Sequence, residues 1–411
     1  MRKGLFVEVL DNAPRRIKTG LLLIGLLCFS VPVGAADQIM FRGDYHRSGF
    51  VAEGPQPPLA LKWKFQTRHG LREIEAFPAV DDGLSPASVH GGVVYVGGHD
   101  GYVYALAAAS GKLLWEYATA GRVVSTPTYH DGVIFVGSMD NYLYALDAAD
   151  GSRLWRYKSG IRQFRTISYR GIRSSPVIRD GVVYVGGCDG RIRALDAKTG
   201  KQLWLVDTGT EGSYASPTLA EDDLYVGSDG LKDSHLFALR ADTGEARWKF
   251  SVPKQIYATP ALAEGILYVH VRDDHVYALR AVDGTLVWKT PAPAPQGENQ
   301  VFTDLSKSSP AVAPDTVYVG IGHELVALAR ATGEVRWRTA TGRKVDSSPL
   351  VVGKTVYVGS DDRNLYGFDA GSGRQLWSFA TGGKISVSPV VGASLLLVGS
   401  NDGWLYAFES Q

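Results

Sequence analysis

The chain has 411 residues, with 43 Lys plus Arg against 42 Asp plus Glu, so no overall field draws it to nucleic acid or to an anionic membrane. Its 48 Gly, 20 Tyr and 9 Trp suit short strands joined by tight turns, and no long stretch carries a helical period. A helical protein is excluded.

Residues 1–35 read as a secretory signal peptide. Arg15, Arg16 and Lys18 precede an apolar run from Leu21 to Val33, and Val33-Gly34-Ala35 places small residues where a cut after Ala35 needs them. The run is shorter than the ~20 apolar residues that a membrane span requires, and Pro32 and Gly34 weaken its end. Arg15-Arg16 also permits a twin-arginine export route. Leu27 stands before Cys28, where lipid attachment wants a small residue. Cys28 leaves with the signal, so Cys188 is alone in the mature chain and no internal disulfide is expected. A lead segment over 36–60 follows, and residues 61–411 form the repeat domain.

The repeat is a small residue, five positions, Gly, three positions, Trp. It recurs seven times, as Ala105/Gly111/Trp115, Ala145/Gly151/Trp155, Ala194/Gly200/Trp204, Ala238/Gly244/Trp248, Ala278/Gly284/Trp288, Ala327/Gly333/Trp337 and Gly367/Gly373/Trp377. A fixed spacing at a period near 40 residues means a repeat architecture. A Ser-Pro or Thr-Pro pair precedes each unit, at Ser85, Thr126, Ser175, Ser216, Thr259, Ser309, Ser348 and Ser388. Between Pro and the small residue lies a hairpin such as Gly181–Gly186 and Arg191–Leu195, turned at Asp189-Gly190. The unit is a four-stranded antiparallel blade, and eight units predict an all-β, eight-bladed β-propeller.

Each Trp falls on an outermost strand. The Gly four positions earlier supplies the positive φ of the preceding turn, and the small residue is expected to leave room for a neighbouring blade's indole. Trp115, Trp155, Trp204, Trp248, Trp288, Trp337 and Trp377 are thus read as structural docking residues. The last blade ends at Phe408 without its Trp strand, and Leu61-Lys62-Trp63-Lys64-Phe65 supplies one from the N-terminal side. Trp63 makes the eighth, and ring closure removes exposed edges.

The run Ala194-Leu195-Asp196-Ala197-Lys198-Thr199-Gly200-Lys201-Gln202-Leu203-Trp204 resembles the tryptophan-docking motif of the pyrroloquinoline-quinone (PQQ)-like propeller family. The lead-in Met40-Phe41-Arg42-Gly43-Asp44-Tyr45-His46-Arg47-Ser48-Gly49 is similar to the opening segment of such proteins. That family holds both quinoprotein dehydrogenases and the outer-membrane assembly factor BamB. The dehydrogenase branch implies adjacent cysteines, a calcium site and long loops, and this chain offers one mature Cys, short blades and no C-x-x-C-H haem signature. The BamB branch implies an exported scaffold that binds protein partners in the cell envelope through loops between blades. Ser168-Tyr169-Arg170-Gly171 ahead of Ser174-Ser175-Pro176 is similar to such a BamB loop, differing by one inserted residue and by Tyr for Leu.

Three inter-blade loops are long: 66–84, 158–174 and 290–308. The second joins Arg162, Arg165, Arg170 and Arg173 to Phe164, Ile167 and Tyr169, the composition of an interface hot spot, or of a solvated basic loop covering the ring. Phe164, Arg165, Tyr169, Arg170 and Arg173 are therefore the partner-binding candidates. A monomer with no cofactor is expected. PQQ with calcium is the alternative, with Asp304 or Asp346 as base, though either acid can pair with Lys307, Arg343 or Lys344. His270 and His275 read as cross-strand neighbours rather than metal ligands. His99, Met139 and Cys188 share one turn position in successive blades.

Overall fold

The computed structural model describes residues 37–68, 83–164, 167–169, 171–230, 234–273, 275–291 and 308–411. The expected signal peptide, and Arg165, Arg170, Asp304 and Lys307, lie outside the described residues. The rest is a ring of eight antiparallel blades. Blade 1 comprises Ser88–His90, Val93–Gly97, Tyr102–Ala107 and Leu113–Ala118. The innermost strands of blades 2 to 7 are Thr128–His130, Val177–Arg179, Thr218–Ala220, Ala261–Ala263, Ala311–Val312 and Leu350–Val352. Middle strands such as Val93–Gly97 are buried almost throughout, because neighbouring blades cover both faces, and they read as continuous apolar runs. Outer strands such as Gln202–Asp207 alternate exposed with half-buried positions, since solvent meets one face.

Blade 8 closes the ring as the sequence predicts. Val390–Gly392, Leu395–Gly399 and Trp404–Ser410 are joined by Leu59–Gln66, with Trp63 opposite Ala407 and Phe65 opposite Leu405.

The blade junctions correct one expectation. The neighbour's indole lies over the Gly of the repeat, not over its small residue: a Cβ at Gly111 would stand 2.6 Å from the Trp63 ring, and one at Gly284 2.7 Å from Trp248. Gly111 and Gly284 also hold φ of 69° and 72°, so conformation and close approach both demand glycine. The small residue works within its own blade. Ala105 separates Tyr95 from Trp115 in neighbouring strands, and its short side chain lets the two rings approach to 5.9 Å. Each indole N–H then reaches a carbonyl of the next blade, as Trp115 does to Ala148 at 2.9 Å and Trp248 to Ala281 at 2.8 Å. The junction of blades 7 and 8 differs, and Trp377 there meets the Phe408 ring edge-on at 5.4 Å.

A second finding was not foreseen. The lead segment fills the channel. Carbonyls of Gln38, Ile39, Tyr45, His46, Ser48 and Gly49 accept from Val89, Tyr129, Leu219, Leu262, Val312 and Val351 on the innermost strands of blades 1, 2, 4, 5, 6 and 7. Phe50–Val51 adds a parallel strand to Leu350–Val352. Arg42 and Arg47, both buried, spread their guanidinium groups to the starts of the innermost strands. Arg42 donates to Pro310 O at 2.6 Å and Pro349 O at 3.2 Å, and Arg47 to Pro217 O and Pro176 O at 3.0 Å each. The inner strand ends of a propeller carry unpaired backbone groups that need partners. Here a single peptide and two arginines provide them.

Candidate functional site: the blind mouth of the channel

With the plug as floor, the channel is a blind cavity of about 340 Å³. Phe41 forms its base. Its walls rise in tiers because every blade presents the same backbone positions to the axis.

The lowest tier is the hydroxyl of each Ser/Thr-Pro pair. The N–H of Thr126 donates to the Ser175 hydroxyl at 2.9 Å, Ser175 to Ser216 at 2.9 Å, Ser216 to Thr259 at 3.0 Å and Thr259 to Ser309 at 2.9 Å. Ser309 to Ser348 at 2.9 Å and Ser348 to Ser388 at 3.2 Å continue the belt. Blade 1 breaks the pattern, which corrects the count of eight equivalent pairs. Ser88 pairs with Tyr95 as Thr128 pairs with Phe135, so Pro86 stands where Thr126 stands and Ser85 where Ser125 stands. Pro86 has neither N–H nor hydroxyl. The belt is open there, and Thr126 Oγ1, buried, has no hydrogen-bond partner among the described residues.

The second tier lies two residues ahead of each hydroxyl position: Leu84, Val124, Arg173, Tyr214, Tyr257, Asp346 and Ser386 all line the cavity. Above it sits the turn position that His99, Met139 and Cys188 share, continued by Asp229, Arg272, Asp361 and Asn401. The backbone N–H of each donates to an inter-blade loop carbonyl, of Gly83, Arg122, Gly171, Gly212, Gln255, Lys344 and Lys384 in turn. Identical hydrogen bonds thus hold side chains of six kinds at one turn position around the ring.

Blades 3 to 5 concentrate the chemistry. Arg173 lies 5.2 Å from the Tyr214 ring and Arg272 5.2 Å from the Tyr257 ring, while the two tyrosines are 5.5 Å apart. Asp229 is buried, and burial, with Glu211 nearby, pushes its carboxyl up to about 7. Burial also pushes the Cys188 thiol up to about 12, which makes it a packed side chain rather than a nucleophile. Asp346 pairs with Lys344 at 3.1 Å. His270 Nδ1 lies 3.4 Å from Ser308 O and His275 Nδ1 2.7 Å from Asp273 O, each ring engaged with a carbonyl.

The partner-binding candidates separate. Phe164 and Tyr169 lie on a hairpin, Arg162–Phe164 with Ile167–Tyr169, that forms a two-stranded sheet of its own beside blade 3. Arg162 pins the base of this hairpin. It pairs with Asp207 at 2.5 Å and donates to Asp189 O at 2.7 Å. Asp189 is itself paired with Arg193, both fully buried. In five other blades the position of Arg193 is a tyrosine bonded to the turn Asp, as Tyr144 to Asp140 at 2.7 Å and Tyr406 to Asp402 at 2.8 Å. Arg173 belongs instead to the cavity wall. The sequence reading passed over the cavity tiers, although counting back two residues from the Ser/Thr-Pro pairs finds the second tier in blades 2 to 5, 7 and 8.

A family model described as outer membrane protein assembly factor BamB matches residues 60–205, 188–320 and 294–411. The chain belongs to this family of PQQ-type propellers. No curated protein sequence matches it. Among solved structures it resembles BamB from Moraxella catarrhalis, at 19% identity and a TM-score of 0.64 over 86% of this chain and 98% of that one. It also resembles a europium-containing methanol dehydrogenase, at 17% identity and a TM-score of 0.74 over 91% and 98%. A quinohemoprotein alcohol dehydrogenase from Comamonas testosteroni gives 16% and 0.71 over 90% and 80%. Likeness at these identities shows the fold alone.

Proposed function

We propose that the protein is an exported scaffold that docks a protein partner of the outer-membrane assembly machinery on its mouth face. The hairpin Arg162–Tyr169 carries this reading. It pairs with no other strand among the described residues, and a lone two-stranded sheet in water is marginal. Its base is nevertheless anchored by the Arg162–Asp207 and Arg193–Asp189 pairs. An anchored hairpin with open edges and an arginine-aromatic sequence suits a partner that adds a strand or buries rings. Photo-cross-linking from position 163 in envelopes tests it: adducts to an outer-membrane assembly component are expected, and no adducts would overturn it.

The second reading is a PQQ-dependent oxidoreductase, favoured by the blind cavity at the channel mouth. A quinone with calcium requires several oxygen ligands converging on one point. Among the described residues no group of three or more His, Cys, Asp or Glu is placed to hold a cation, and the one acid on the cavity wall, Asp346, is paired with Lys344. The described residues do not fit that group. Incubation with PQQ and calcium, desalting and an absorbance spectrum separates the two readings; stoichiometric retained quinone with dye reduction would reverse the order.

A further inference from the structure

The cavity holds chemistry that contacts at the hairpin do not use. Arg42 and Arg47 are fully buried, and Asp44 is the acid acting on both. Desolvation lowers each to about 9, which leaves both protonated at neutral pH. Their guanidinium groups hold carbonyls at the level of the hydroxyl belt, Arg47 reaching Ser175 O itself at 3.4 Å. Two cations in a low-dielectric interior, sharing one carboxylate, give the space above them a positive potential.

The belt matches that potential. The hydroxyls of Ser175, Ser216, Thr259, Ser309, Ser348 and Ser388 each accept an N–H from the adjoining blade, and no described residue accepts their protons. A hydroxyl can donate once while accepting. These hydroxyls belong to residues that line the cavity, whereas the Thr126 hydroxyl is buried with no partner among the described residues. Arg173 adds a guanidinium on the exposed part of the wall. The acids nearby are accounted for, Asp346 by Lys344 and Asp229 by its place in the buried cluster around Tyr257 and Arg272. Tyr214 and Tyr257 form an aromatic wall facing the axis, and Leu84, Val124 and Val387 add apolar surface.

We propose that this cavity binds a small organic anion, its carboxylate or phosphate oxygens on the hydroxyl belt and Arg173, its apolar body along Tyr214 and Tyr257. The volume of about 340 Å³ lies at the lower end of small-molecule pockets, ~300–1,000 Å³, and suits a ligand of about one ring. The inference does not depend on the scaffold reading, since the hairpin takes no part in it.

Titration calorimetry of the purified protein with benzoate, phenyl phosphate and the uncharged benzamide tests it. At least one of the two anions should bind in a 1:1 ratio, with benzamide about 10-fold weaker or more, because charge-assisted hydrogen bonds are roughly twice as strong as neutral ones. The order of the two anions tells carboxylate from phosphate. Arg173→Gln should weaken the anion about 10-fold. Ser388→Ala, at the half-buried end of the belt, should weaken it about 3-fold. Failure of both anions to bind in the low-millimolar range would overturn the proposal. So would benzamide binding as tightly as benzoate, or both variants binding like wild type.

Discussion

The blade junctions and the channel mouth are built by the same repeat to opposite ends. At most junctions the blades carry the same parts, a Trp, a ring opposite it and a Gly beneath the neighbour's indole, as in Tyr225, Trp248 and Gly284. At the mouth the backbone hydrogen bonds repeat and the side chains do not, from His99 through Cys188 and Asp229 to Asn401. Repetition marks where the ring is held together. Departure from repetition marks where it is free to act.

Breaking a junction should have the largest effect. Trp115→Ala removes a buried ring and the hydrogen bond to Ala148, and it should lower stability by about 3–5 kcal/mol in denaturant unfolding. Gly284→Ala keeps the ring but places a Cβ 2.7 Å from Trp248 at a φ of 72°, and should cost about 2 kcal/mol by the same measurement.

The mouth should respond to pH rather than to volume. The Asp229 carboxyl titrates near 7 in the fold and near 4 when unfolded, so the folded state holds more protons in between. Stability from this group is full below about pH 4 and is lost as pH rises to about 7. Asp229→Asn should therefore melt higher than wild type above pH 7, by on the order of 2 kcal/mol, and show no such gain near pH 4. Arg173→Gln should change stability least, within about 0.5 kcal/mol, while altering what the cavity holds.

The fold was legible because its determinants are local and repeated. The Gly-x-x-x-Trp spacing, the Asp-Gly turns and the Leu61–Phe65 strand fixed blade count and closure without any long-range information. The plug was not legible. Arg42 and Arg47 act on carbonyls of Pro176, Pro217, Pro310 and Pro349, 129 to 307 positions away, and nothing in the repeated Ser/Thr-Pro pairs signals that their carbonyls meet these arginines. The offset of Pro86 was equally hidden, since Ser85-Pro86 looks like the other pairs until strand register places it. For the candidate site, grouping Arg162 with Arg173 by composition joined two side chains that face different partners, one Asp207 and one the Tyr214 ring. The arginine at 193, where five other blades place tyrosine, was the overlooked sequence signal for an anchored hairpin.

The central claim is that departures from the repeat, not the repeated rows, carry the protein's interactions. Photo-cross-linking scanned around the ring tests it most directly, comparing position 163 on the hairpin with the exposed Leu154, Leu203 and Leu376 of the outer strands. The account predicts adducts from the hairpin and none from the outer leucines. Equal yields from the outer strands would contradict it.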